Sequence, residues 1–296
     1  MRKYSLRTPP PAEADQALVS YSEIARQMLF ARGIETSAEA EKFFNPSYEE
    51  HIHDPFLISG MEKAVERILR AIEGNEPIAI WSDYDHHGIP GGVILYDFFK
   101  KIGYDNFTNY IPHRGLEGYG LNVKGIKKLA GGGVKLIITV DVGITDVAPT
   151  ETANKLGVDV IITDHHLPNG KLPPALAILN HKQEHDTYPE KILCGAGMAF
   201  KLVQALIASR NFGDKITAGW EKWLLDLVGI STIGDMVPLV GENRALTHYG
   251  LKVLRKTRRP GLLKLFRKSG IRPEHLNEDD VAFSITPRIN AASRMD

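Results

Sequence analysis

Cysteine is almost missing from this chain. Cys194 is the single thiol among 296 residues. That excludes a disulfide framework and any cysteine-rich zinc module, and it fits a reducing compartment. Net charge is also missing, since 36 Lys and Arg stand against 36 Asp and Glu. The chain is therefore no histone-like polycation, although a local basic groove remains open. Long apolar runs are absent. The longest, such as Leu136–Val140 and Val160–Thr163, have the length of strands and cannot span a bilayer. The polar start, Met1 to Ser5 followed by Pro9-Pro10-Pro11, holds no apolar segment of the signal-peptide kind. The expected location is the cytoplasm, with no membrane partner. Repeats, low-complexity tracts, a P-loop and a Rossmann glycine fingerprint are missing too, and Gly131-Gly132-Gly133 is not followed by Lys-Ser/Thr.

What is present is the composition of a folded protein, 43% hydrophobic and 24% charged. The length suits one large domain or two smaller ones. Residues 1–20, polar and rich in Pro and Ala, read as a loose arm. The pattern from Ser22 to Phe44 reads as helical, with Thr36-Ser37 and Glu39 as a start signal. Met61–Ile72 keeps one apolar stripe and stops at Gly74-Asn75. From there short apolar runs alternate with helical patterns. Strands are predicted at 77–81, 107–111, 136–140, 158–163 and 176–179. Helices are predicted at 93–102, 121–129 and 147–156. That alternation implies an α/β fold built on a mainly parallel sheet with helices on both faces. Helical periodicity then takes over at 196–209, 220–228 and 246–254. The chain divides into an N-terminal arm and helix (1–49), an α/β domain (50–185) and a mostly helical part (186–296).

In an open parallel sheet, ligands sit beyond the carboxyl ends of the strands. Three of the predicted strands end in acids: Asp83 and Asp85, then Asp141, then Asp164-His165-His166. Carboxylates gathered on one edge repel one another unless a cation neutralises them. Carboxylate oxygens with imidazole nitrogens suit a divalent ion such as Mn²⁺, or two of them. The plainer alternative is that each Asp caps the helix that follows it.

Asp164-His165-His166 is also the motif that names the DHH phosphoesterase superfamily. Nearly the whole chain resembles its RecJ-like branch, the single-strand-specific exonucleases. The matching stretches are Arg32–Ile34, Asp54-Pro55 with Gly60–Ala64, Asp83–Asp85 through Gly88-Ile89, and Pro112 to Glu117–Asn122. They continue with Thr139–Ile144, Thr163–His166, Gly195–Leu202, Gly234–Leu239, Gly241–Arg244 and Pro287–Ala292. The resemblance implies a metal-dependent 5′→3′ exonuclease that hydrolyses single-stranded DNA in repair and recombination, using Mn²⁺ or Mg²⁺ and two ions. It implies a catalytic set of Asp85, Asp141, Asp164, His165, His166 and Asp235. Within it Asp85, Asp141, His165 and Asp235 are metal ligands, Asp141 bridges, and Asp83 orients ligands by hydrogen bonding. Single-stranded DNA is the implied partner, a single-strand-binding protein or a helicase are further candidates, and a monomer is favoured.

The chain departs from this pattern twice. The family reads Asp-x-Asp-x-Asp-Gly where this chain reads Asp83-Tyr84-Asp85-His86-His87-Gly88. His87 therefore stands at a ligand position and removes one negative charge. Relatives also continue past Pro287–Ala292 into a second domain that helps to clamp the strand, so a truncated sequence is the favoured reading. Two other functions stay open. One is a catalytically silent nucleic-acid-binding scaffold, which His87 supports. The other is an oligoribonuclease or small-nucleotide phosphatase.

Substrate contacts are expected from Arg114 and Tyr119 in a glycine-rich loop, and from Arg288, Asn290 and Arg294. Leu251–Arg272 carries nine Lys and Arg and no acid, either tracking a nucleic-acid backbone or forming a solvated helix face. His86 is expected to point away from His87 if the segment is extended. The other histidines read as surface or packed residues, and Cys194 as a small buried hydrophobe.

Overall fold

The computed structural model describes Ser5 and residues 8–295. In chain order the helices and strands are α1 (Ala12–Ala17), α2 (Glu23–Phe30), α3 (Ser37–Phe44), α4 (Tyr48–His51), α5 (Met61–Glu73), β1 (Ile78–Ser82), α6 (Gly88–Lys101), β2 (Phe107–Tyr110), α7 (Arg114–Glu117), α8 (Val123–Gly131), β3 (Leu136–Val140), α9 (Val147–Lys155), β4 (Asp159–Thr163) and β5 (Ala177–Leu179). The helical part follows with α10 (Gly195–Ser209), α11 (Leu225–Gly234), α12 (Gly241–Leu254), α13 (Pro260–Ser269), α14 (Glu278–Asp280) and α15 (Thr286–Ala292).

The five strands form one sheet in the order β2-β1-β3-β4-β5, and every pairing is parallel. A strand turns alternate side chains to opposite faces, and both faces are covered. Ile78, Ile80, Leu136, Ile138 and Ile161 pack with α5, α6 and α10. Ala79, Trp81, Ile137, Val160 and Ile162 pack with α8 and α9. The first of these cores runs from Tyr48 to Leu246. It therefore joins residues of all three sequence segments. A separate cluster around Ile230, Leu254, Phe266 and Val281 holds the helical end together. Among the described residues no helix is long and apolar enough to cross a membrane.

Several sequence expectations need correction. Within the supposed loose arm, residues 12–17 are helical and Leu18 is fully buried, while residues 1–4 and 6–7 lie outside the described part. The helical pattern at 22–44 is two helices. Ser22 caps the first, and a Thr36/Glu39 capping box starts the second. α6 begins at Gly88 rather than Val93, because Gly-Ile-Pro-Gly-Gly carries little helical propensity and tertiary packing overrides it. α12 begins at Gly241 rather than Leu246, α13 is the helix that the plainer reading of the basic stretch allowed, and α15 is a helix that no expectation covers. Val281–Ile285 is π-helical.

Candidate metal centre at the carboxyl edge of the sheet

β1, β3 and β4 are adjacent, so the segments that leave their carboxyl ends converge. Asp83 follows β1, and its N–H donates to the Val140 carbonyl at 3.2 Å. Two residues on, Asp85 Oδ1 accepts from the N–H groups of His87 (2.7 Å) and Gly88 (3.1 Å). One of its oxygens thus caps the start of α6, as the plainer alternative held. Its other oxygen lies 3.4 Å from His87 Nδ1. Asp164 is committed further. Oδ1 accepts from the N–H groups of His165 and His166, and Oδ2 accepts from Ile144 N–H at 2.9 Å. It shapes the turn and leaves the ligand atoms to its neighbours. Asp85-His86-His87 and Asp164-His165-His166 are thus two Asp-His-His turns with different bonding, since Asp85 accepts from the second and third N–H groups after it and Asp164 from the first and second.

Asp141 lies between them, in the left-handed region at φ 65°, a costly conformation for a residue with a Cβ. The first residue of α10 is Gly195, and a Cβ there would lie 2.4 Å from Asp141 Oδ1. Glycine lets the positive end of α10 reach the carboxylate. Asp235 arrives from the helical part, directly after α11, at a helix end where its charge is unfavourable. Met236 follows at φ 57° and is 86% exposed.

These residues form a ring. Asp141 turns one oxygen to His165 Nε2 (3.0 Å) and the other to His87 Nδ1 (3.7 Å). Asp235 turns one oxygen to His87 Nε2 (3.4 Å) and the other to His165 Nδ1 (3.5 Å). The two imidazoles are 6.2 Å apart. Yet buried atoms of this ring have no hydrogen-bond partner: His87 Nε2, Asp141 Oδ1, both nitrogens of His165 and Asp235 Oδ2. Asp83 Oδ1 and His86 Nε2 are equally alone. Buried polar atoms without partners are rare and costly. Donors of this kind turned towards one another fit a divalent cation. Ligand atoms of Asp83, Asp85 and Asp141 lie within 4.8 Å of one another, as do those of Asp141, His165 and His166 and those of Asp85, His86 and His87.

Electrostatics follow from this crowding. Burial and neighbouring Asp85 push Asp83 up to about 6. Burial, with Asp164 and Asp85 close by, pushes Asp141 well above the carboxylate range. Burial opposes the charge of Asp85, but the His87 ring and two N–H groups outweigh it and hold its carboxyl well below the usual range. Burial lowers His165 to about 4. The hydrogen bond to Asp164, 2.7 Å long, raises His166 to about 9. His87 rises against burial, through Asp85 and then Asp141.

A cleft opens beside Asp83 and Asp85, lined also by Tyr84, Arg114, Tyr119, Asn290 and Arg294. The Arg114 guanidinium lies 5.3 Å from the centre of the Tyr84 ring. Tyr119 donates to the Asp141 carbonyl at 3.1 Å and its hydroxyl is 3.4 Å from His166 Nδ1. Burial, then Asp164 and Asp141, raises Tyr119 so that the phenol stays protonated. Arg288 is not brought here. It donates to the Ser284 carbonyl at 2.7 Å, on the preceding turn. Asn290 reaches the cleft, but its side-chain Oδ1 accepts from His86 N–H at 2.9 Å and lies 2.8 Å from His86 Nδ1. His86 is the residue that sequence reasoning missed. The segment is a turn, not extended, and the ring is buried against α11, where a Cβ on Gly234 would meet it at 2.2 Å. Asn290 was the available signal. Within the basic stretch, Arg259 is half-buried and bound to Asp97 and Asp226, and Arg255 donates to the Leu276 carbonyl.

Comparison with known proteins adds a family. The DHH family, N-terminal domain, matches residues 77–232. The chain is 41% identical over 273 residues to the single-stranded-DNA-specific exonuclease RecJ of Bacillus subtilis, covering 92% of this chain and 33% of that protein. It is 34% identical over 280 residues to RecJ of Escherichia coli, covering 92% and 48%. The chain thus spans between a third and a half of the length of these relatives. Among solved structures, exonuclease RecJ bound to manganese aligns with a TM-score of 0.71 at 34% identity, covering 80% of this chain and 58% of that one. RecJ from Thermus thermophilus in complex with Mn²⁺ aligns with a TM-score of 0.78 at 28% identity, covering 98% and 40%.

Proposed function

The chain belongs to the DHH family, and from that premise we propose that it is a metal-dependent exonuclease that hydrolyses single-stranded DNA from the 5′ end, in repair and recombination. The ring of Asp141 and Asp235 with His87 and His165, full of buried donors without partners, carries the reading. Asp85, His87 and Asp141 would hold one divalent ion, and Asp141, His165 and Asp235 a second, with Asp141 shared. When bound, such ions lower the pKa of water and offset charge on the phosphodiester.

The side chains have separate tasks. Asp164 fixes the turn and keeps His166 protonated at the half-exposed mouth, where an imidazolium can donate to a phosphate oxygen or a leaving group. Asp83, whose Oδ1 has no partner among the described residues, would orient a water on the ion by hydrogen bonding. Arg114 and Arg294 supply charge for the strand's phosphates, and Tyr84 and Tyr119 offer aromatic faces beside them. Two imidazoles in the donor set favour Mn²⁺ over Mg²⁺, which prefers oxygen. A single-strand-binding protein or helicase are candidate partners for a monomeric enzyme.

The test is release of mononucleotides from a 5′-labelled single strand, with Mn²⁺ and with Mg²⁺. Binding without cleavage would favour the silent scaffold, the second reading that His87 supports. Faster cleavage of short RNA would favour the oligoribonuclease.

A further inference from the structure

At the far end of α11 from the metal centre the helical part carries an aromatic groove. α11 rises about 1.5 Å per residue, so Leu225 at its start lies roughly 15 Å along the axis from Asp235. The groove is lined by Trp223, Leu225, Tyr249, Lys252, Val253 and Lys256. Trp223 is 49% exposed. The Arg258 guanidinium lies 5.7 Å from the centre of its ring, and the Lys252 ammonium lies 4.8 Å from that of Tyr249. Among the described residues, Arg259 is the one member of the 252–272 basic stretch held in an ion pair. Lys252, Lys256 and Arg258 have no acid to neutralise them.

Unpaired cations on one face repel one another, and an exposed indole leaves a large apolar surface in water. A single nucleic-acid strand relieves both, since its phosphates meet the cations and its unpaired bases stack on the rings. A duplex offers the phosphates but keeps its bases stacked. An acidic peptide offers charge without flat faces. We propose that this groove is a second binding site for single-stranded DNA, separate from the metal centre and independent of whether that centre cleaves.

The test uses the full chain in EDTA, with a labelled oligo-dT of twelve nucleotides followed by anisotropy and tryptophan emission. The oligomer should quench Trp223, and the quenching should be lost in Trp223→Phe, which leaves fully buried Trp81 and half-buried Trp220 as the background. Trp223→Ala should weaken binding about tenfold, and Trp223→Phe, which keeps an aromatic face, should largely restore it. Lys252→Ala, Lys256→Ala and Arg258→Ala together should flatten the slope of log affinity against log salt by about 2. All four side chains are at the surface, and unchanged thermal midpoints confirm that the variants fold. Affinity and salt slope unchanged in both sets would overturn the proposal. So would equal binding of a duplex of the same length, or displacement of the oligomer by poly-glutamate with equal quenching.

Discussion

Glu242 and Asp141 are both buried carboxylates, each 1% exposed, and their surroundings have little in common. Glu242 Oε1 accepts from His53 N–H at 3.2 Å and pairs with the Lys201 ammonium, while Oε2 accepts from Tyr188 at 2.6 Å. Lys201 also donates to the His53 carbonyl at 2.8 Å. This cluster ties the segment before α5 to α10 and α12, and its charges are matched inside the fold. Asp141 has Asp85 and Asp164 as like-charged neighbours, an oxygen with no partner and a strained backbone. The first cluster is complete without help, and the second is complete only with a cation from outside. A buried charge by itself therefore says little about function; whether its hydrogen bonds close says more.

The largest effect expected from this contrast is at Lys201. Lys201→Ala leaves Glu242 charged and buried without its partner, and should cost about 3–5 kcal/mol in urea unfolding. A cost under about 1 kcal/mol would mean that the cluster is not the fastener described here.

His181 sharpens the contrast from a third position, as a buried imidazole with no carboxylate partner and with Nδ1 3.2 Å from Met198 Sδ. Burial, then Lys182, lowers it from 6.5 to about 3. The unfolded chain takes up a proton below about pH 6.5 that the folded chain refuses, so stability falls as the pH drops. Between pH 6.5 and pH 5 this group should remove about 2 kcal/mol. His181→Gln should lose that part of the slope, and identical slopes in both proteins would show His181 charging inside the fold.

At the metal centre the sign of a charge removal should reverse. Asp141→Asn relieves repulsion, and Asn tolerates a positive φ better than most residues. Without metal it should stabilise the protein by about 1 kcal/mol, while metal-dependent hydrolysis disappears. Destabilisation of the metal-free protein would put Asp141 in the same class as Glu242.

At His87 the expected change is confined to metal affinity. His87→Asp restores an oxygen donor and adds one negative charge, and should tighten Mg²⁺ about tenfold in calorimetric titration, with a smaller gain for Mn²⁺. Equal affinities in both proteins would mean that residue 87 is not a ligand.

The sheet was legible because β1, β3 and β4 are short apolar runs closed by acids, and those three acidic ends named the edge. The convergence of Asp85, Asp141, His165 and Asp235 could be drawn from the family motifs. Other parts could not be read. The start of α6 hides in a Gly- and Pro-rich stretch, and the bounds of α13 hide in a basic one. His86 looked idle because its partner, Asn290, belongs to a distant helix, and Arg288 looked useful because its i−4 carbonyl contact is invisible in a motif. Local patterns report local hydrogen bonds, and the missed features depend on packing.

The bond from His86 to Asn290 spans 204 positions. Closing so long a loop costs entropy that local contacts do not repay, and contacts of this separation slow folding. Asp85 can cap α6 as soon as that helix forms, but the turn presenting His87 is finished only when α15 docks. Capture of a metal ion by His87 would then mark the last stage of folding rather than the appearance of the sheet. A chain caught with its five strands paired and α15 loose would hold its acids at the edge and still lack a finished site.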